Sequence, residues 1–434
     1  MCKSNALFFQ KRITETSWPI TTYRFLIPVR CTIFQIATFS YYICPMQLSV
    51  IILNYNVRYF LEQCVLSVQA SLQNIDSEII VVDNNSSDDS CQMMKTRFPH
   101  IKLIENNENT GFPKGNNIGV AQAKGEYICI LNPDTVVAED TFTKLLNPQL
   151  STRNPQLGII GCKLVDGTGK FLPESKRGIP TPWVAFTKIF GLYKIFPKIQ
   201  LFNRYYAQNL SEHQTGEVDV LVGAFMFLKR ELYNQLGGFD ENCFMYSDDI
   251  DLSYRALQNG KTNYYFSKTT VIHYKGESTV KDGTYMKRFQ EAMEYFYSKH
   301  FKKSAFFSLF MKSGSYLFAF LKKSKSVVSN RNIDSYILIS QNELLKERLE
   351  KLLGKNVSRL YINFKNELPS LLKGINSNVE VIFDQNDLSF STIISIMECC
   401  KSERVTFKII PNQSNFMIGS NSSNDRGEVI LIND

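Results

Sequence analysis

The acids best suited to chemistry in this sequence are three carboxylates within four positions, Asp248, Asp249 and Asp251. Acids this close repel one another unless water or a cation compensates their charge. The residues that follow have helical spacing, so one interpretation is an acidic first helical turn that the helix dipole stabilises. The other interpretation is chemical: one carboxylate has a raised pKa and serves as a general base.

A further acid, Asp134, follows the apolar run 127–131 after Asn132 and Pro133. A carboxylate at the end of a buried strand can hold a hard divalent ion, Mg²⁺ or Mn²⁺, that also binds diphosphate oxygens. Pro133 restricts the backbone and would direct the next side chain outward. The structural alternative is a simple turn, because the same tripeptide is common in turns.

Two polar loops could bind a nucleotide. Asp83, Asn84 and Asn85 follow the apolar run 78–82 and could hydrogen-bond a nucleobase or a ribose. Gly111, in the loop 109–115, would allow the backbone to approach a ligand closely. For both loops the structural alternative is an ordinary turn.

The elements that must position these residues alternate between strands and helices. The patterns predict strands at 48–53, 78–82, 101–105 and 127–131, and helices at 59–71, up to Arg97 and at 116–124. This order predicts a parallel α/β sheet with right-handed crossovers, whose ligands bind beyond the carboxyl ends of the strands. Asn54, Asp83 and Asp134 all fall at that end.

The length of 434 residues predicts two or three units. We expect an N-terminal extension at 1–45, with Met46 as the functional start. The main α/β domain is predicted at 46–300, an amphipathic basic linker at 301–330, and a small α/β domain of unknown role at 331–434.

The linker and the last domain have their own patterns. Phenylalanines and lysines over 301–325 suit either an interfacial helix on a membrane or a helix docked on the main domain. Strands are predicted in the last domain at 336–339, 359–362, 379–383 and 405–410. After the first of these there is no G-x-G-x-x-G, so dinucleotide binding there is not supported.

Composition narrows the class of partner. The net charge of +8 suits an anionic partner such as a phosphate, a nucleotide or an acidic lipid surface. No basic run with interleaved aromatics stands out, so no nucleic-acid partner is expected. The 10 cysteines have no zinc-type spacing, and we expect reduced thiols in the cytoplasm.

Five sequence blocks follow one another within residues 47–280: SVIILNYN, VVDNNSSD, ENTGFPKGNNIG, GEYICILNPDT and GAFMFLKRELYNQLGGFDENCFMYSDDIDLSYRALQNG. In this order they resemble glycosyltransferase family 2, and within it the rhamnosyltransferase-like branch that builds bacterial surface polysaccharides. The resemblance implies a GT-A fold, a Rossmann-like mixed α/β sheet, and inversion at the anomeric carbon.

The resemblance also implies roles for the acids. Asp134 matches the family's metal-binding acid, and Asn132 takes the place of the first acid of that motif. Asp83 matches the nucleotide-binding acid. Asp249 matches the general base, with Asp248 in place of the family's glutamate.

His273 matches a histidine that many members place near the diphosphate, so it joins Asp134 in the expected metal site. Lys275 and Ser278 could help to hold phosphate. The residues expected to bind the nucleotide sugar are Asn54, Asp83, Asn85, Gly111, Asn116, Asn132 and Gly223.

These features predict an inverting glycosyltransferase that uses Mg²⁺ or Mn²⁺. We expect it to move rhamnose or a related hexose from a nucleotide-diphosphate donor to a saccharide or lipid-linked saccharide. Its expected location is the cytoplasm, with peripheral contact at the inner face of the membrane. The alternatives are a sugar nucleotidyltransferase, which would need a glycine-rich basic loop where Asn54–Arg58 stand, and a non-catalytic nucleotide-sugar-binding scaffold.

Overall fold

The computed structural model describes residues 22–26, 36–40, 46–196, 198–275, 283–301, 332–361, 368, 372, 377–421 and 427–432. The chain forms two units, residues 1–45 and 46–434. In the first, β1 (Thr22–Leu26) pairs antiparallel with β2 (Ile36–Ser40). The linker helix predicted within 301–325 and the phosphate contact predicted for Ser278 lie outside the described residues.

The second unit contains a large mixed sheet. Its strands, within the described residues, are β3 (Leu48–Asn54), β4 (Ser77–Asp83), β5 (Lys102–Glu105), β6 (Tyr127–Leu131), β7 (Thr135–Val136), β8 (Leu157–Val165), β9 (Gly216–Val218), β10 (Phe225–Lys229) and β11 (Thr262–His273). Their order is β5-β4-β3-β6-β10-β8-β11-β7, with β9 on β11. The four strands predicted from sequence are β3 to β6, and they are parallel, as expected.

Strand β10 enters the sheet antiparallel to both β6 and β8. Because of this reversal, the start of β10 lies at the same sheet edge as the carboxyl ends of β3, β4 and β6. The loop before β10, with Gly223, therefore faces the loops that follow β4 and β6. Strand β11 runs parallel to β8 and ends at this edge as well.

Helices cover the sheet and connect its strands. In the described residues they are α1 (Arg58–Ser71), α2 (Ser90–Arg97), α3 (Gly111–Val120), α4 (Thr141–Leu145), α5 (Pro148–Arg153), α6 (Pro182–Ile189), α7 (Leu192–Ile195), α8 (Gln200–Asn203), α9 (Arg230–Gln235), α10 (Asp248–Gln258), α11 (Gly283–His300), α12 (Glu343–Leu353) and α13 (Phe390–Cys400). None of these described helices combines the length and apolar composition of a bilayer span.

Helix α3 departs from the prediction of a helix at 116–124, because it begins at Gly111 and ends at Val120. Its glycines fit a close approach to the sheet. A Cβ on Gly115 would lie 2.5 Å from a Leu53 methyl, and one on Gly119 would lie 2.6 Å from an Ile51 methyl. The sequence predicted a loop at 109–115, which includes Gly115, whereas this glycine lies in the helix and tight helix–strand packing requires it.

A second sheet follows within the same unit. Its described strands are β12 (Ser335–Ile339), β13 (Val357–Leu360), β14 (Val379–Asp384), β15 (Val405–Ile410), β16 (Phe416–Gly419) and β17 (Glu428–Leu431), in the order β13-β12-β14-β15-β16-β17. The first four are parallel and were predicted. The antiparallel β16 and β17 were not.

The two sheets share one apolar core. Phe60 and Ile272 from the first sheet's layer belong to the same cluster of buried side chains as Phe407 and Phe416 from the second. Glu139, which follows β7, accepts hydrogen bonds from the backbone N–H groups of Phe390 (2.6 Å) and Ser391 (2.8 Å) at the start of α13. This carboxylate therefore satisfies two helix N–H groups that would otherwise lack a partner.

We predict that Glu139→Ala lowers the free energy of unfolding by about 1–2 kcal/mol, because it exposes both N–H groups and removes a charge favoured by the helix dipole. The matched control is Glu403→Ala. Glu403 joins the same two layers through an exposed ion pair with Lys170 at 3.3 Å, so its loss should cost within about 0.5 kcal/mol. Urea unfolding measures both. Equal effects of the two variants would contradict the role assigned to Glu139.

Candidate active site

A cavity of about 330 Å³ opens at the sheet edge where β3, β6 and β11 end and β10 begins. Its apolar wall includes Leu53, Phe112 and Val222. Its polar wall is formed by Asn84, Asn109, Asn132, Glu174, Arg177, Asp248, Asp249, His273 and Lys275. The acidic turn and the Asn132–Asp134 turn thus approach the same cavity. In the sequence, Asp134 and Asp248 are 114 positions apart.

The pairing of β7 with β11 brings the Asn132–Asp134 turn to His273. In that register His273 lies opposite Thr135. The Nε2 atom of His273 is 3.4 Å from Oδ1 of Asp134 and 3.5 Å from Nδ2 of Asn132. His273 and Asn132 line the cavity, while Asp134 is buried next to His273 and does not line it.

This pair fits a divalent ion. Two ligands bound at about 2.1 Å and at right angles lie about 3 Å apart, close to the observed separation. The Nδ1 atom of His273 is buried without a hydrogen-bond partner in the described structure. Within those residues, no group of three or more His, Cys, Asp or Glu is arranged as a complete metal site. The pair therefore suits Mg²⁺ or Mn²⁺ only with further ligands from phosphates and water.

The acidic turn forms the first turn of α10, as one interpretation predicted, yet it is not a solvated turn. Asp248 and Asp249 are only 5% and 8% exposed. Oδ2 of Asp249 accepts hydrogen bonds from Nη2 of Arg177 at 2.5 Å and from the backbone N–H of Gly223 at 3.0 Å. A buried guanidinium and a backbone dipole thus fix the orientation of this carboxylate.

The neighbouring carboxyl group, that of Asp248, has a raised pKa. Burial, and then the charge of Asp249, raise the pKa of Asp248 from 3.8 to about 7. Two adjacent buried carboxyl groups next to one guanidinium cannot both ionise cheaply, so one of them retains its proton. The sequence predicted that the general base itself has the raised pKa, whereas the raised pKa belongs to Asp248, the neighbour of the expected base.

Asp251 faces away from this pair and is neutralised by cations. It accepts a hydrogen bond from Nε of Arg255, one helical turn on, at 2.7 Å, and it forms an ion pair with Lys299 at 2.8 Å. These contacts outweigh its burial and hold the pKa of Asp251 below its usual value. Its role is to join α10 to α11.

The residues expected to bind the nucleotide sugar divide into two groups. Gly111, Asn132 and Gly223 line the cavity. The residues that do not line it are Asn54, Asp83, Asn85 and Asn116.

Three of these four make contacts within the protein that account for their positions. Nδ2 of Asn54 donates to Oδ1 of Asp83 at 2.7 Å, which orders the loop after β4. Nδ2 of Asn116 donates to the carbonyl of Phe112 within α3. Asn85 is exposed with φ of 64°. Their roles in donor binding stay predictions.

Sequence reasoning missed two polar residues of the cavity. Arg177 is 72 positions from Asp249, and no local pattern connects them. Glu174 forms an ion pair with Lys275, and this contact outweighs burial to lower the pKa of Glu174. Both residues lie in a short polar run, Glu174 to Arg177, that precedes a segment with no predicted element, and nothing in this run distinguishes it from an ordinary surface loop.

Residues 49–237 match the profile of glycosyl transferase family 2. This region is a glycosyl transferase family 2 domain. The chain is therefore a glycosyltransferase, and the family match favours this activity over the nucleotidyltransferase and scaffold alternatives. Together with the observed sheet, it confirms the GT-A fold class expected from the sequence.

Among curated proteins, the glycosyltransferase is similar to N-acetylglucosaminyl-diphospho-decaprenol L-rhamnosyltransferase of Mycobacterium tuberculosis, with 26% identity over 54% of this chain and 78% of that protein. It is also similar to low-salt glycan biosynthesis hexosyltransferase Agl10 of Haloferax volcanii, with 27% identity over 48% of this chain and 61% of that protein. These matches agree with the rhamnosyltransferase-like resemblance of the sequence blocks.

Among solved structures, the glycosyltransferase is similar to mannosyltransferase PcManGT from Pyrobaculum calidifontis in complex with GDP-Man and Mn²⁺. That match has a TM-score of 0.40 and 20% identity, over 63% of this chain and 70% of that one. It is also similar to S. aureus TarS 1–349, with a TM-score of 0.38 and 15% identity, over 63% of this chain and 71% of that one.

The raised pKa of Asp248 generates a pH-dependent prediction. The folded protein keeps the Asp248 proton up to about pH 7, whereas the unfolded chain releases it near pH 4. The contribution of Asp248 to stability therefore falls as the pH rises from about 4 to about 7. We expect the stability of Asp248→Asn, relative to the wild type, to rise across the same window.

Urea unfolding at both ends of this window measures the effect. The control is Asp140→Asn, since Asp140 is an exposed acid paired with Lys144 at 2.8 Å. A stability difference between Asp248→Asn and the wild type that does not change with pH would contradict the assignment of the proton to Asp248.

Proposed function

We propose that the enzyme transfers a sugar, with inversion, from a nucleoside-diphosphate donor to a hydroxyl of a saccharide or lipid-linked saccharide. The observation that supports this most strongly is the approach of the Asp134–His273 pair and the Asp248–Asp249 turn to one cavity. One side suits a cation and a diphosphate. The other side offers a carboxylate to an attacking hydroxyl.

Asp249 is the proposed general base. The acceptor oxygen loses its proton to Asp249 and forms a bond to the anomeric carbon, while the bond from that carbon to the diphosphate oxygen breaks. The leaving nucleoside diphosphate takes the bonding electrons. Arg177 and the Gly223 N–H orient the carboxylate through Oδ2, which is the kind of positioning that proton transfer requires.

Asp248 limits the negative charge beside the base. With a pKa of about 7 it is partly protonated at neutral pH, so it repels the approaching diphosphate less than a second full charge would. On the donor side, Asp134 and His273 are the proposed metal ligands. A bound Mg²⁺ or Mn²⁺ would neutralise charge that develops on the departing diphosphate. Lys275, at the cavity wall, adds a positive charge near the same phosphates.

The identity of the substrates is proposed from the relatives. The Mycobacterium tuberculosis protein is named as a rhamnosyltransferase acting on a diphospho-decaprenol-linked sugar, and the Haloferax volcanii protein as a hexosyltransferase. We therefore propose rhamnose or a related hexose as the sugar and polysaccharide assembly at the cytoplasmic face of a membrane as the setting. Release of nucleoside diphosphate across a panel of nucleotide sugars identifies the donor.

For the base, we predict that Asp249→Asn lowers the turnover number by about 10²–10⁴-fold, because no carboxylate then accepts the acceptor proton. Affinity for the donor should stay within about threefold, since the amide retains the shape of the side chain. Asp140→Asn is the control acid outside the cavity. Wild-type turnover in Asp249→Asn would refute the assignment.

For the metal site, we predict that Asp134→Ala abolishes the gain in donor affinity that Mn²⁺ gives, because the ion loses its carboxylate ligand. Isothermal titration of a nucleoside diphosphate with and without Mn²⁺ measures this. His273→Ala should reduce the Mn²⁺-dependent gain in affinity to a smaller extent. The control Asp140→Ala should leave this gain unchanged. Unchanged Mn²⁺-dependent affinity in Asp134→Ala would count against the site.

A further inference from the structure

Residues 175–211 form a segment of unusual charge between Arg177 at the cavity wall and the strand β9. The segment contains no acidic residue, and its basic residues are Lys176, Arg177, Lys188, Lys194, Lys198 and Arg204. Lys176 is buried and Arg177 is paired with Asp249, so the surface of the segment is charged by Lys188, Lys194, Lys198 and Arg204. Helices α6, α7 and α8 all lie within it.

The same segment exposes apolar side chains. Trp183, Phe190, Ile195, Phe196, Ile199 and Leu201 are each between 41% and 64% exposed. They are six of the eleven large apolar side chains that are exposed among the described residues, and they fall within 19 consecutive positions. Exposed apolar groups are ordinary when scattered, but a cluster of this kind marks an interaction surface.

Ring contacts connect aromatic side chains across this stretch, which we call the aromatic platform (residues 183–202). The Trp183 ring lies 5.3 Å from that of Phe186 and 6.0 Å from that of Phe202. The Phe202 ring in turn lies 5.3 Å from that of Phe196. Nε1 of Trp183 donates to the carbonyl of Leu201 at 2.9 Å, which ties α6 to α8.

The platform is anchored to the catalytic cavity. The backbone N–H of Gly178, next to Arg177, lies 3.1 Å from the carbonyl oxygen of Arg204. Lys188 lies over the Tyr205 ring, 3.6 Å from its centroid. Burial opposes ionisation of Tyr205, but Lys188 and Arg177 outweigh it and lower the pKa of Tyr205. The loop that positions the partner of Asp249 is therefore part of the same structure as the platform.

We propose that the aromatic platform and its lysines dock the enzyme on a bilayer that contains anionic lipids. Tryptophan, phenylalanine and aliphatic side chains enter the boundary between headgroups and acyl chains, while lysines bind the anionic headgroups. A second copy of the chain is disfavoured as the occupant, because two identical surfaces of this charge repel each other. Lysines are also depleted in protein–protein interfaces.

Docking through the aromatic platform would determine the direction from which the acceptor reaches the cavity. A lipid-linked sugar would reach the cavity from the headgroup level, beside Arg177 and Asp249. This use of the surface rests on the proposed function, whereas the docking itself does not. The surface also differs from the amphipathic segment predicted at 301–325, which lies largely outside the described residues.

Fluorescence of Trp183 tests the proposal at the platform itself. The chain has two tryptophans, Trp18 and Trp183, so Trp18→Phe in the full chain leaves one reporter. Addition of vesicles of phosphatidylglycerol and phosphatidylcholine should shift its emission to the blue, and pure phosphatidylcholine vesicles should not. Vesicle binding without a shift would overturn the proposal, since another segment would then carry the binding.

Surface variants separate docking from catalysis. In a flotation assay, vesicle binding should be weakened at least tenfold by two double variants at exposed positions. These are Ile195→Ser/Phe196→Ser and Lys194→Glu/Lys198→Glu. The control is Leu344→Ser/Leu352→Ser, because these exposed leucines lie on α12, away from the platform. Wild-type flotation of both platform variants would overturn the proposal, as would a dimer that these variants dissociate.

Sugar transfer to two kinds of acceptor provides the last test of the docking role. If the enzyme transfers sugar to a water-soluble acceptor, the platform variants should retain that activity and lose most transfer to a lipid-linked acceptor in vesicles. Loss of both activities, with vesicle binding intact, would place the platform in the reaction and overturn its docking role. Absence of any transfer by the wild type would refute the proposed function, while the flotation and fluorescence results would still decide docking.

Discussion

The contact on which the active site depends is the buried ion pair between Arg177 and Asp249. A carboxylate taken out of water is costly unless a partner of opposite charge and further hydrogen bonds compensate it. Arg177 and the Gly223 N–H provide this for Asp249. Asp248 is buried beside this carboxylate, and burial and then the charge of Asp249 raise the pKa of Asp248. The ion pair thus holds the proposed base in a fixed orientation next to a second buried acid.

The sheet supplies the geometry for this contact. Because β10 is inserted antiparallel between β6 and β8, its first residues lie at the edge where the parallel strands end, and Gly223 meets Asp249 there. The pairing of β7 with β11 brings His273 to Asp134 at the same edge. Behind them, the second sheet packs into a shared core, and Glu139 connects the residues after β7 to α13. The second sheet and its helix therefore pack next to β7, the strand that follows the proposed metal ligand Asp134.

Much of this arrangement could be predicted from local sequence. Continuous apolar runs identified β3, β4 and β6, and the polar residues after them identified the functional edge of the sheet. Sequence blocks singled out Asp134 and Asp249 as the residues to examine, and the family resemblance added His273. These signals are local, and strand ends that are parallel neighbours must share an edge.

The parts that escaped prediction depend on long-range contacts. Arg177 approaches Asp249 only because the chain returns between β8 and β9, and nothing near Arg177 in sequence encodes that return. The reversal of β10 and the hairpin of β16 and β17 are likewise set by pairing partners rather than by hydrophobic pattern. The aromatic platform was overlooked because its lysines are spaced too widely to form a basic run, and because local sequence does not show which of its apolar side chains are exposed.

The proposed reaction requires a cation and a base that face one substrate, and a crystal grown with Mn²⁺ and a nucleoside diphosphate tests this most directly. Anomalous scattering should place one Mn²⁺ at about 2.0–2.3 Å from both Oδ1 of Asp134 and Nε2 of His273, with the diphosphate inside the cavity that Asp249 lines. A diphosphate bound at the second sheet, or Mn²⁺ bound away from both residues, would contradict it.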